Sequence, residues 1–263
     1  MRDRKVGKLW LSQQQYVEQV LERFNMKNVK PVSTPLANHF KLSKMSCPTI
    51  IVEKEVMVAI LYSSAIGSLM HAMVCTRLDI AYVVEVVSRF LSNLGNGHWE
   101  AMKWILRYLK GTCNKCLCFG GAEPTLEGYT NVDMASDMDG RKSTLGILFT
   151  FAGGAISRQS KLQKCVALLT TKAGKKDALV EEISSIVGNE ARKLCYHCDR
   201  QSALDLSKNV MYHSCIKHID VRYRWLWQEV EEQHFKLKKI HTDKNLANMM
   251  IKVVEHEKLQ LYA

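Results

Sequence analysis

Three segments in the second half of the chain place oxygen-bearing side chains at the ends of apolar runs. Gly128-Tyr129-Thr130-Asn131-Val132-Asp133 carries an amide and an acid two residues apart, and Cys198-Asp199-Arg200-Gln201-Ser202-Ala203 carries an acid. His241-Thr242-Asp243-Lys244-Asn245-Leu246-Ala247-Asn248 combines a histidine, an acid and two amides. Carboxylates brought together in this way can hold Mg²⁺, which takes oxygen ligands in strict octahedral geometry. Asn131 and Asn248 offer an oxygen but lack the charge that holds the cation. Alternation along a strand puts Asp133 on the same face as Asn131, which makes Asp133 a possible substitute. Zinc has a weaker claim: Cys195-Tyr196-His197-Cys198 provides one close pair, whereas zinc sites usually draw on two. Core cysteines are the simpler reading.

The chain has 263 residues, 47% of them hydrophobic, enough for a real core in one large domain or two ordinary ones. Lys and Arg outnumber Asp and Glu by 37 to 26, and the net charge of +11 favours polyanionic partners such as nucleic acid. Lys103, Arg107, Lys110, Arg141 and Lys142 could track a phosphate backbone, although a solvated helix face explains the first three equally well. The nine Cys are scattered. No secretory leader opens the chain, and no apolar run approaches the roughly 20 residues of a membrane span. An intracellular protein, cytoplasmic or nuclear and not secreted, with free thiols is expected.

Elements that could position these residues follow from periodicity. Tyr16, Val17, Val20, Leu21 and Phe24 form one helical stripe, with Ser12 as N-cap. Pro31, Pro35 and Pro48 predict an extended connector from about Lys30 to Glu55. Ser63 to Ser92 and His98 to Leu109 are helical by apolar spacing, so the first part is mainly helical. After Gly120-Gly121 the pattern changes to short alternating or β-branched runs: Leu126 to Thr130, Thr144 to Ala152, Ala155 to Gln159 and Cys165 to Thr170, with a hairpin turn at Gly153-Gly154. A strand over Lys193 to Cys198, a helix over Lys217 to Glu232, a strand over Phe235 to His241 and a closing helix over Asn245 to Val254 complete an α/β fold with a mixed sheet and flanking helices. Domains are expected at 1–120 and 121–263.

Nearly the whole chain resembles the end of copia-type retrotransposon Pol polyproteins, from the last part of the reverse transcriptase through the ribonuclease H (RNase H) domain. The residues that carry this include Lys8-Leu9-Trp10-Leu11-Ser12-Gln13, Pro31-Val32-Ser33-Thr34-Pro35-Leu36, Tyr62-Ser63-Ser64-Ala65-Ile66-Gly67-Ser68-Leu69, Thr76-Arg77-Leu78-Asp79-Ile80-Ala81, Arg107-Tyr108-Leu109-Lys110-Gly111-Thr112 and Lys217-His218-Ile219-Asp220-Val221-Arg222. The resemblance implies an RNase H-like sheet preceded by a helical thumb or connection segment, Mg²⁺ as cofactor and RNA–DNA hybrid as partner. It also implies that the polymerase acids lie upstream, so no polymerisation is expected of this chain alone.

RNase H chemistry uses four carboxylates to hold two divalent cations astride the scissile phosphate. By resemblance the first acid position is Asn131, the third is Asp199 and the fourth is Asn248. The second belongs to a segment that here reads Thr170-Thr171-Lys172-Ala173-Gly174-Lys175-Lys176, and a stretch of roughly two helical turns is expected to be missing with it. The three lysines oppose cation binding. Only Asp199 is retained, and no productively bound Mg²⁺ is expected. His241 matches a family histidine before the last acid motif and is either an auxiliary group in product release or a polar strand end. Three functions follow: a degenerate polyprotein piece with little or no catalysis, an inactive fold kept as a nucleic-acid- or protein-binding module, or a nuclease rebuilt on Asp133, Asp199, Asp243 and a replacement acid such as Asp177.

Overall fold

The computed structural model describes residues 1–120, 123–163, 194–199, 201 and 235–254. The expected strand over Cys165 to Thr170, the Lys172 to Lys176 replacement and the helix over Lys217 to Glu232 lie outside the described residues, as does Asp177. The chain divides into two compact units, one of Met1–Gly121 with Asp137–Arg141 and Lys252–Ala263, the other of Ala122–Ser136 with Lys142–Ile251.

The first unit is built on five helices: α1 (Gln14–Arg23), α2 (Ile51–Val58), α3 (Tyr62–Cys75), α4 (Ala81–Ser88) and α5 (Asn96–Gly111). The stripe expected on α1 is the buried one, with Val17, Val20 and Leu21 turned inward. They meet Ile66 and Leu69 of α3, Val84 and Val87 of α4 and Met102, Ile105 and Leu106 of α5 in one core. The N-cap of α1 is Gln13 rather than Ser12. Ser12 ends strand β2 (Lys8–Ser12) and is paired with Cys116, so its backbone is committed to a sheet, and its Oγ accepts instead from the Gln14 N–H at 3.3 Å. That sheet was not expected. β1 (Arg2–Asp3), β2 and β3 (Cys116–Phe119) form a small antiparallel set, and Leu9 and Leu11 stay largely exposed, so the strands lack the clean alternation that marks a half-buried sheet. The connector expected over Lys30 to Glu55 is also shorter, because a 3₁₀ turn at Lys44–Ser46 and the start of α2 interrupt it. Proline bars the residues before it from a helix but leaves those after it free.

A buried ionic cluster ties the loop before α4 to the end of α5. Arg77, 2% exposed, donates to both oxygens of Asp79 at 3.0 and 2.7 Å, and to the carbonyl and hydroxyl of Thr112 at 3.1 and 2.6 Å. The Tyr108 hydroxyl donates to Asp79 Oδ2 at 2.6 Å. Burial alone would raise the Asp79 pKa, but the Arg77 guanidinium and the Tyr108 hydroxyl together hold it below the ordinary carboxylate range.

Among the described residues, the second unit holds a five-stranded sheet in the order β6-β5-β4-β7-β8, made of β4 (Leu126–Asp133), β5 (Thr144–Phe151), β6 (Gly154–Leu162), β7 (Leu194–Cys198) and β8 (Phe235–Lys239). β4, β5 and β6 pair antiparallel, while β7 and β8 continue the sheet in parallel from β4. This is the mixed, RNase H-like sheet that the resemblance implies. The β5–β6 turn is Ala152-Gly153, both at positive φ (50° and 80°), which is the backbone a two-residue hairpin requires. Two differences stand out. The Asp137 to Asp139 turn, expected on the surface, belongs to the first unit, and Asp137 is buried against Arg89 at 3.1 Å. The closing helix is replaced by two 3₁₀ turns, Thr242–Lys244 and Leu246–Met250. Asn245 divides them in extended backbone and spends its side chain on the Ala247 N–H and the Thr130 carbonyl.

Removing the carboxylate in Asp79→Ala leaves Arg77 charged and buried, and breaking such a pair costs about 3–5 kcal/mol. A urea titration at neutral pH is expected to read that loss in the first unit. A depressed folded pKa gives stability that is present above the unfolded value of about 3.9 and lost as pH falls through the folded one. The gap between wild type and variant should therefore narrow in titrations run below that unfolded value.

Candidate functional site

The site is set by the parallel pairing of β4 with β7. Their last registered pair is Thr130 with Cys198, so Asn131 and Asp199 each stand one residue beyond it on neighbouring strands, which run about 4.8 Å apart. Both project to the face that carries the registered Tyr129 and His197, whose rings stack at 4.8 Å. Glu127, two residues back on the same face, accepts from the Tyr129 hydroxyl at 2.8 Å and lies 3.7 Å from His197 Nε2. Burial, followed by the bond to Glu127, pushes the Tyr129 pKa up. Sequence reading missed this Glu-Tyr-His group, although its alternation with Asn131 along β4 was available as a signal.

Asn131 and Asn248 are brought together. They are 6% and 4% exposed, and Asn131 Nδ2 donates to Asn248 Oδ1 at 2.8 Å. Asn131 Oδ1 accepts from the Val132 N–H at 2.7 Å, and Asn248 Nδ2 donates to the Thr242 carbonyl. The close approach depends on Gly146, the antiparallel partner of Asn131. A Cβ there would stand 2.6 Å from Met250 Cβ and 2.8 Å from Ile251 Cγ2. Only glycine lets the last 3₁₀ turn lie so close on the sheet.

The remaining candidates are arranged differently. Asp199 is half-buried, and its Oδ1 is sealed from solvent without a hydrogen-bond partner. Asp133 is half-buried on the Asn131 face at the end of β4. Asp243 is exposed beside His241, whose Nδ1 lies 3.5 Å from its carboxylate and caps the Thr242–Lys244 turn. His241 is thus a capping side chain with 73% of its surface in solvent. Cys198 is buried and Cys195 half-buried. Among the described residues no group of three His, Cys, Asp or Glu is placed to hold a metal ion.

Among the described residues the donor set does not fit a pair of Mg²⁺ ions. Mg²⁺ gives up its water only to charged, well-placed oxygens, and here Asp199 brings one carboxylate while both amide oxygens already accept N–H groups.

In the first unit, the basic residues of α5 are engaged within the chain. Lys103 pairs with Glu100, Arg107 Nε donates to the Lys30 carbonyl at 2.8 Å, and Lys110 donates to the Val29 carbonyl at 2.7 Å. Arg107 also lies over the Trp104 ring, at 4.9 Å, and Trp104 Nε1 donates to the Thr34 carbonyl at 2.9 Å. These side chains brace the connector.

Comparison with known proteins decides the family. The retrovirus-related Pol polyprotein from transposon TNT 1-94 of Nicotiana tabacum is 58% identical over 269 residues, covering 99% of this chain and 20% of that protein. The chain belongs to the copia-type retrotransposon Pol polyproteins. A second relative, the Pol polyprotein from transposon RE1 of Arabidopsis thaliana, is 31% identical over 97% of this chain and 18% of its own length, so the chain spans about a fifth of these copia-type relatives. Among solved structures, a ribonuclease H1 isolated from compost by a metagenomic approach covers 49% of this chain and 93% of its own, at 13% identity and a TM-score of 0.37. No family model matches the chain.

The Gly146 contact generates a test. Gly146→Ala forces Met250, Ile251 and the Ala247 carbonyl outward, and overpacking of this kind costs about 1–3 kcal/mol. The variant is expected to unfold at lower urea, with faster amide exchange confined mainly to the Leu246–Met250 turn.

Proposed function

We propose that this chain is a catalytically silent piece of a copia-type Pol polyprotein. In this reading residues 1–120 derive from the reverse transcriptase and 121–263 from the RNase H domain. The observation that carries the proposal is the direct bond between Asn131 and Asn248. Two positions where the resemblance implies metal-binding acids hold neutral amides that satisfy each other. Asp199 is left as the retained acid among the described positions, and one carboxylate does not hold two strongly hydrated cations. The Lys172 to Lys176 segment supports the same reading through its sequence alone, since three added positive charges repel a divalent cation.

Loss of cleavage does not remove affinity for nucleic acid. A net charge of +11 supports weak binding of an RNA–DNA hybrid inside the cell, in cytoplasm or nucleus, driven by release of phosphate counterions. Such binding carries no sequence information.

The test is a cleavage and binding assay on the purified chain with a labelled RNA–DNA hybrid. No hydrolysis is expected in Mg²⁺ or Mn²⁺, and none in the double variant Asn131→Asp, Asn248→Asp, because the second acid position is not restored. Binding is expected to weaken at least about ten-fold between roughly 50 and 200 mM salt, as for a protein making two or more phosphate contacts. Metal-dependent hydrolysis that vanishes in Asp199→Ala would overturn the reading.

A further inference from the structure

We propose that Asn131 and Asn248 form a directional amide relay that locks the closing turn to the sheet without any cation. The relay starts at a main-chain donor and ends at a main-chain acceptor: Val132 N–H to Asn131 Oδ1, Asn131 Nδ2 to Asn248 Oδ1, Asn248 Nδ2 to the Thr242 carbonyl. With both ends fixed by backbone, each intervening side chain must accept on one side and donate on the other. A primary amide does both, whereas a carboxylate only accepts. The two ends therefore also fix which way each amide points.

The consequence is a coupling between the two positions. In Asn131→Asp, the new carboxylate still accepts from Val132 but faces Asn248 Oδ1. Turning the Asn248 amide over relieves that contact and aims its oxygen at the Thr242 carbonyl, so the conflict moves along the relay and does not disappear. In Asn248→Asp, the carboxylate accepts from Asn131 and meets the Thr242 carbonyl with no hydrogen between them. A carboxylate at either position breaks a relay that two amides complete. A second set of bonds runs beside it, from Asn245 Nδ2 to the Thr130 carbonyl and from the Ala247 N–H to Asn245 Oδ1. The turn stays anchored there when the relay is broken, and the Asn131 and Asn248 variants are expected to fold with a loosened turn.

Hydrogen exchange on the full chain tests the proposal. In wild type, the side-chain amide protons of Asn131 and Asn248, followed by ¹⁵N NMR, are expected to exchange at least ten-fold slower than those of exposed Asn38, equally in EDTA and in 10 mM Mg²⁺. In each single aspartate variant, backbone protection over Thr242–Ile251 should fall about ten-fold or more, while protection in α3 and α5 is unchanged. The proposal is overturned if the wild-type side-chain amides exchange like Asn38, if their protection requires Mg²⁺, or if both single variants keep wild-type protection. The wild-type arm needs no variant to fold. The readout is also separate from cleavage, so a chain that cleaved nothing yet showed no protected amides would defeat the relay and leave the silent-nuclease reading in place.

Discussion

A polar side chain buried at the end of a central strand costs about 1–3 kcal/mol if it is left without partners. Asn131 stands at such a place, 6% exposed and flanked by strands on both sides. Something must come down on it. The chain supplies the 3₁₀ turn Leu246–Met250, and several features follow from that requirement. Residue 146 must be glycine so that the turn can approach, Asn245 must leave the helical path so that its amide reaches the Thr130 carbonyl, and residue 248 must be able to accept from Asn131. Met249, Met250 and Ile251 then cover the neighbouring sheet surface.

The two units solve the problem of buried polarity in opposite ways. In the first, Arg77 and Asp79 keep full charges, pair with each other through two bonds and are bonded further by Thr112 and Tyr108. Charges in low dielectric are tolerated when paired and bonded in this manner. In the second, Asn131 and Asn248 at the sheet end are neutral amides that bond to each other, while the half-buried Asp199 beside Asn131 keeps one sealed oxygen without a partner. A buried carboxylate oxygen without a bond is costly.

Much of this was legible from the chain alone. The strands over β4 to β6, the further strands at β7 and β8 and the stripe on α1 follow from sequence pattern, because burial of one face imposes period 2 or 3.6 on the sequence. The resemblance brought Asn131, Asp199 and Asn248 forward together, and the β4–β7 register does set Asn131 beside Asp199. Other features were not legible for specific reasons. β2 and β3 are short, partly exposed and far apart in sequence, so nothing local marks their pairing. The Leu246–Met250 turn has helical composition, and the long-range bonds of Asn245 and Asn248 that hold it on the sheet are not marked in the local sequence. His241 read as a possible functional group because its type and position fit one. Its exposure is a fact of tertiary placement, and its ring caps the Asp243 N–H two residues on, a local role that residue type alone does not announce. Asp137 read as a surface acid because turns are usually wet, and its ion pair with Arg89 spans 48 residues.

Such a chain can lose its chemistry and keep its fold because the two are written in different residues and selected against each other. The sheet is specified by many apolar positions, among them Leu145, Ile147, Leu148 and Phe149 on β5, all 2% exposed or less. No one of them decides the architecture. A two-cation site is specified by a few carboxylates, and gathering carboxylates at one strand end is destabilising until a cation arrives, since like charges at close range repel strongly in a medium of low dielectric. Replacing an acid by its amide changes almost no volume and removes that repulsion. Under the silent-nuclease proposal, a step from Asp to Asn at positions 131 and 248 would therefore run downhill in stability once selection for cleavage is relaxed, in keeping with the general opposition between active-site function and stability. The second step is favoured by the first, because an amide at one position needs a partner that can both accept and donate at the other. Asp199 is not drawn along the same path, since it takes no part in the relay and a change there would complete no bond.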